Sequence, residues 1–194
     1  MSNTSINQFP ILTEQDFIVR AVNPEDASAL TDYFCRNRRY LKPWEPTRDD
    51  AFFSQLGWQK RSIQLHELFR HNLAFYFVIE HAQLPGICGL VSYSNVTRFP
   101  MHACHLGYSL DPLVQKQGVM TRAIALTNAW MFEVQKMHRI NACYMPRNRA
   151  SGAILTRLGF YQEGFAKSYI EINGRWEDHV VTARLAPEYQ LETD

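Results

Sequence analysis

Apolar residues recur along this chain with two periods, and the places where the period changes divide it into strands and helices. Short apolar or alternating runs at residues 17–22, 74–79, 87–93, 101–110 and 139–144 predict strands. Turn residues Gln83, Pro85 and Gly86 predict a hairpin between the second and third of these. Runs at 164–172 and 176–183 flank Asn173 and Gly174, the pair favoured in a type I′ hairpin turn.

Helical spacing appears at Ala27, Leu30, Tyr33 and Phe34, after Asn23 as a cap and Pro24 in the first turn. Pro43 and Pro46 interrupt that pattern and predict a loop over residues 36–46. A longer helix over about 49–71 follows, then helices at 121–134 and 148–158, the last stopped by Gly159. No internal repeat, linker or low-complexity stretch interrupts the 194 residues. The expectation is one α/β (α+β) domain over 1–194 with a mixed sheet and a core at about 15–185.

Composition narrows the function classes without choosing among them. Twenty basic and nineteen acidic side chains nearly cancel, so no overall field points to nucleic acid or to an anionic membrane. The stretch 1–6 has neither a charged nor an apolar signal region, and no apolar run approaches the roughly 20 residues of a membrane span. A cytoplasmic location is therefore expected. Cys35, Cys88, Cys104 and Cys143 form no closely spaced pair and read as free thiols, three of them in strand-like runs. His102, Cys104 and His105 are the most metal-like group. Strand alternation would put His102 and Cys104 on one face and His105 on the other, with no fourth ligand in sight, so no metal site is expected.

Two glycine-bearing segments carry the chemistry. A diphosphate needs several N–H donors converging without a bulky side chain among them, and a helix N-terminus behind a glycine supplies them. Gln115, Gln117 and Gly118 lie after the strand ending near Leu110 and just before the 121–134 helix. A plain strand–turn–helix junction would look similar. A Rossmann site is set aside, because Gly118 has no partner glycines at the required spacing. In the second segment Asn148 can cap a helix or donate to a ligand amide, and Ser151 falls one turn later on the same side.

These segments together resemble the acyl-CoA half of the GNAT superfamily of N-acetyltransferases. The carriers are the Gln-x-x-Gly pattern at Gln115–Gly118, and Asn148 and Ser151 followed by Gly159, Phe160, Glu163 and Gly164. Met120 stands where a small residue is usual, a choice that the Rim-type branch tolerates. Peptides around Lys42, Trp44 and Glu45, around Tyr144, and from Asn173 to His179 resemble the bacterial RimJ group in that branch.

The resemblance implies a single-domain acyl-CoA N-acyltransferase fold, its mixed, mostly antiparallel sheet flanked by helices. It implies acetyl-CoA as cosubstrate, with no metal. Backbone N–H groups from Gln117, Gly118, Val119, Met120, Thr121 and Arg122 would hold the diphosphate, with Gln115 leading the loop. Backbone atoms of Ser109 and Leu110 would pair with the pantetheine arm, and Asn148 and Ser151 would face the thioester. The acceptor it implies is the N-terminal alanine of a small-subunit ribosomal protein.

Amine acetylation needs a neutral nucleophile, a polarised carbonyl and a proton for the leaving thiolate. Related Rim enzymes place a glutamate near the position of Ile170, where this chain has an apolar residue beside Glu171. Glu45 is therefore the preferred base, Ser151 its catalytic partner, and Tyr108, Tyr144 and Tyr169 are further proton-donor candidates. Trp44 and Trp176 are candidate walls for a small acceptor residue. Arg36, Arg38, Arg39 and Lys42 are candidate contacts to ribosomal RNA. A small-molecule acceptor and a non-catalytic CoA-binding module stay open, as does the choice between monomer and dimer. The near-neutral charge speaks against a polycationic acceptor.

Overall fold

A computed structural model describes residues 10–189, and the N-terminal stretch 1–6 lies outside it. Among the described residues eight strands form one sheet in the order β1-β2-β3-β4-β5-β6-β8-β7. They are β1 (Ile11–Thr13), β2 (Phe17–Ala21), β3 (Phe75–His81), β4 (Leu84–Thr97), β5 (Ala103–Leu110), β6 (Arg139–Tyr144), β7 (Tyr161–Ile172) and β8 (Arg175–Leu185). Among the described residues four α-helices flank it: α1 (Ala27–Leu41), α2 (Gln55–Arg70), α3 (Val119–Glu133) and α4 (Arg149–Arg157).

Strand alternation in β3 sorts the core into two layers. Phe75, Phe77 and Ile79 pack with residues of α3 and α4. Val78, one residue out of phase, packs with Leu30, Tyr33, Phe34 and Trp58 of α1 and α2. Every strand pair is antiparallel except β5–β6, which α3 connects as a crossover. That parallel pairing is short. Its register runs Ala103↔Arg139, Cys104↔Ile140, His105↔Asn141 and stops, whereas β5 continues paired to β4 as far as Leu110↔Gly89. Beyond His105 the two strands part, and the wedge between them opens toward the N-termini of α3 and α4.

Several predicted boundaries move. The predicted loop 36–46 is helical as far as Leu41, followed by one 3-10 turn, Lys42–Trp44. Helical burial continues through Tyr33, Phe34, Asn37 and Leu41, but the position at 37 is a buried polar residue. The predicted helix 49–71 divides at Ser54 into a 3-10 turn, Asp50–Phe53, and α2. Asp49 accepts from Phe52 N (2.9 Å) and Ser54 from Gly57 N (3.0 Å), so each segment has its own cap. Trp58 and Leu65 of α2 are buried, whereas its Leu56 and Ile63 are exposed.

The β3–β4 turn falls at Ala82 and Gln83, while Pro85 and Gly86 lie within β4 beside a bulge. Strand β1 is only three residues long, too short for an apolar period to predict it. His102 has a positive φ of 46° and precedes β5, so regular alternation begins only at Ala103. The Asn173–Gly174 turn keeps its predicted place, with φ of 47° and 78°. No helix among the described residues is long and apolar enough to cross a membrane.

Candidate active site

The loop entering α3 is built around two residues with left-handed backbone, Lys116 (φ 62°) and Gly118 (φ 77°). Gly118 is the N-cap of α3, where a residue without a Cβ carries that backbone without strain. The first intrahelical bond runs from Arg122 N to Gly118 O (3.0 Å). The N–H groups of Gly118, Val119, Met120 and Thr121 precede it and form the donor-rich end of the helix. Arg122 is thus outside that donor group, and its guanidinium is taken up by Asp16 (2.9 Å) and Glu14 (3.5 Å) over the Phe17 ring.

Met120 and Val119 turn into the core, at 4% and 1% exposure. A large residue at 120 therefore leaves the mouth of the loop open, which explains why a small one is unnecessary. Gln117 is exposed. The Gln115 amide instead closes the loop from behind, donating to Leu110 O (3.2 Å) and Tyr40 Oη (2.6 Å).

At the tip of β5, neighbouring side chains reach to opposite layers. Tyr108 faces α4, where its hydroxyl lies 2.7 Å from Ser151 Oγ and 3.2 Å from Ser151 O. Ser109 faces α1 and accepts from Tyr33 Oη (2.9 Å). Burial pushes the Tyr108 phenol up to about 12, with the Ser151 hydrogen bond opposing, so it keeps its proton at neutral pH. Asn148 caps α4 by accepting from Ser151 N (3.2 Å), which leaves its amide N–H groups for a ligand. Gly152 lets α4 sit against Tyr144: a Cβ there would lie 2.8 Å from the ring. Tyr144 is therefore a packing surface for α4.

Asp111, the residue after β5, fixes this tip to α1. It is 1% exposed and accepts from Arg36 Nε (2.8 Å), Asn37 Nδ2 (2.9 Å) and Leu113 N (3.0 Å). Arg36 also donates to Ile87 O. Arg36 is consequently a structural residue of α1, not part of a basic loop. Arg38 reaches Asp50 (3.4 Å) and lies over the Phe53 ring, while Arg39 and Lys42 are exposed.

Glu45 follows the 3-10 turn and is half-buried. Burial pushes its carboxyl above the usual range, with Arg48 (3.9 Å) opposing. Its carbonyl accepts from Asn173 N (3.0 Å) at the β7–β8 turn. It borders a cavity of about 180 Å³ with Phe34, Leu41 and Phe53 on the apolar side and Arg38 and Arg48 on the polar side. Glu45 is near enough to Tyr33 for its charge to add to the burial that raises that phenol.

Other candidates stand apart. A bulge between Ala166 and Ile170 distorts β7. Beyond it Ile170 pairs with Glu177 and Glu171 with Trp176 on the exposed hairpin. Tyr169 packs on His179 there. Trp176 is 65% exposed, Trp44 lies under Arg147, and neither lines the cavity. Among the described residues no three His, Cys, Asp or Glu side chains are grouped to hold a metal ion. Tyr33, Asp111 and Arg147 were missed in the sequence. Tyr33 Oη bonds Ser109 76 residues on, Asp111 bonds Leu113 locally but Arg36 and Asn37 75 and 74 residues back, and Arg147's partners lie 30 and 104 away, so no local pattern marks these long-range roles.

Residues 16–161 match the acetyltransferase (GNAT) domain family. The chain is 43% identical over 178 residues to the [ribosomal protein uS5]-alanine N-acetyltransferase of Escherichia coli strain K12, covering 92% of each protein. The solved ribosomal-protein-S5-alanine acetyltransferase of Vibrio fischeri superposes with a TM-score of 0.90 at 48% identity, covering 94% of this chain and all of that one. Mycobacterium smegmatis RimJ, solved in complex with CoA-disulfide, superposes with a TM-score of 0.85 at 28% identity, covering 95% and 90%.

Proposed function

Because the chain belongs to the GNAT acetyltransferase family, we propose that it transfers the acetyl group of acetyl-CoA to the N-terminal α-amine of a ribosomal protein. The acceptor we assign is the alanine terminus of a small-subunit protein. The observation that carries this reading is the wedge between β5 and β6, closed at its two sides by the α3 donor group and the Tyr108–Ser151 pair. The likeness to uS5-alanine acetyltransferases over nearly the whole chain supports the acceptor.

The residues fit acetyl-CoA at each point. The free N–H groups of Gln117 to Thr121 suit the diphosphate, and the unpaired side of β5 at Ser109 and Leu110 suits an extended amide-bearing arm. Asn148 offers its amide N–H groups to that arm. The Ser151 hydroxyl stabilises the sulfur as the C–S bond breaks and the C–N bond forms. Glu45 takes the proton that the attacking amine loses, and its raised pKa brings it closer to the acidity of that amine. The 180 Å³ cavity beside it suits a small terminal residue. Lys42 borders it and, with Arg39 on the last turn of α1, is exposed and suits a ribosomal RNA or an acidic tail segment.

The test is thiol release from acetyl-CoA with peptides beginning Ala, Ser or Lys, and with an N-blocked Ala peptide. Release with free Ala and none with the blocked peptide is expected. No release with any peptide or with ribosomal extract would overturn the reading.

A further inference from the structure

The turn Lys42–Trp44 buries no side chain of its own, and Pro43 contributes no backbone N–H. It is nevertheless held from two directions. Arg147, the residue just before the α4 cap, donates from Nη2 to Pro43 O (3.4 Å), and its guanidinium carbon lies 5.8 Å from the centre of the Trp44 ring. The same side chain pairs through Nη1 with Glu177 Oε2 on β8 (2.5 Å). From the other direction Asn173 N donates to Glu45 O (3.0 Å).

We propose that Arg147 is a positioning residue that clasps the Pro43–Glu45 turn to the β7–β8 hairpin and so fixes Glu45 relative to Ser151. This rests on the reading of Glu45 as proton acceptor. The chain places Glu45 and Ser151 more than a hundred residues apart, and the side chain beside the α4 cap joins them. Arginine suits this role and lysine does not: its planar fork serves a carboxylate and a carbonyl at once while its face covers an indole. Arg147 is 48% exposed and Glu177 23%, so the ion pair adds little to global stability. Its effect belongs to the geometry of the turn.

Full-length wild type, R147A, R147K and E177Q are compared by hydrogen exchange over residues 42–48 and by steady-state kinetics with acetyl-CoA and an Ala peptide. In R147A, exchange over 42–48 should rise at least tenfold and kcat fall about tenfold. The KM for acetyl-CoA should stay within twofold and Tm within about 2 °C. E177Q should share part of the effect, and R147K should recover only part of the wild-type value. Unchanged exchange over 42–48, or an acetyl-CoA KM that rises as much as kcat falls, would overturn the clasp. If the wild type acetylates no peptide, the acceptor reading fails, and the exchange result alone still decides whether Arg147 holds the turn.

Discussion

Tyr108 has one proton and two acceptors, Ser151 Oγ at 2.7 Å and Ser151 O at 3.2 Å. Donation along the shorter contact leaves the Ser151 proton free to face the sulfur. Without Tyr108, the serine hydroxyl loses the partner that aims it. Tyr108→Phe keeps the ring and should lower kcat about tenfold, the equivalent of one neutral hydrogen bond of about 1.4 kcal/mol. Thiol-release rates measure it, and the double variant with Ser151→Ala should be no slower than Ser151→Ala alone. Additive losses would refute the coupling.

Glu45 makes a prediction of a different kind. Its folded pKa lies above its ordinary 4.5, so between those two values the folded chain binds more protons than the unfolded one. Stability must then fall as pH rises through that window. Glu45→Gln removes the penalty. Melting curves from pH 4 to 7 should show the variant gaining on wild type as pH rises, even as its acetyl transfer is lost. Parallel curves would mean the carboxyl is not held in a desolvated place.

Among the elements, the α3 N-terminus separates backbone strain from ligand repulsion most clearly. Gly118 sits at φ 77°, so Gly118→Ala carries a strain of about 1 kcal/mol and should keep acetyl-CoA binding. Gly118→Asp carries similar strain and adds a carboxylate where the diphosphate would lie. Titration calorimetry should show binding abolished in the second variant and retained in the first. This loop was legible in the sequence because its chemistry is local: a strand, a glycine and a helix start lie within a dozen residues. The Asn148–Ser151 cap and the Asn173–Gly174 turn were legible for the same reason.

Apart from the local Ser54 cap, what escaped the sequence depends on distant partners. Asn37 broke the apolar period of α1 because its buried amide is satisfied by Asp111, 74 residues on. Ser54 divided the second helical stretch by capping α2 where the spacing alone read as continuous. Ser151 was singled out by the family resemblance more than by its position after a cap, and its partner Tyr108 lies across the wedge on β5. Arg36 read as a loop cation because nothing nearby in the chain shows that an aspartate holds it.

On the scale of the whole molecule, the wedge requires β5 to end in a fixed place although β6 no longer supports it. Pairing with β4 holds one side. The other support is α1, fastened through Tyr33 to Ser109 and through Arg36 and Asn37 to Asp111. Asp111→Ala would leave two side-chain donors facing a buried gap, at a cost of about 3 kcal/mol. Burial pushes the Asp111 carboxyl up, but the hydrogen bonds from Leu113, Arg36 and Asn37 outweigh it and the net shift is downward.

A lowered carboxyl stabilises the fold above its unfolded pKa, here 3.8, and that contribution disappears as pH falls through the still lower folded value. The stability gap between wild type and Asp111→Ala, measured by denaturant unfolding, should therefore be full at pH 7 and narrow below about pH 3.8. The β5 tip would loosen with the loss of α1, so acetyl-CoA affinity should fall along with stability in this variant. In Arg147→Ala neither should change, because that side chain secures the acceptor turn and leaves the floor of the wedge intact. An Asp111→Ala protein with wild-type affinity for acetyl-CoA would show that pairing with β4 alone sets the tip.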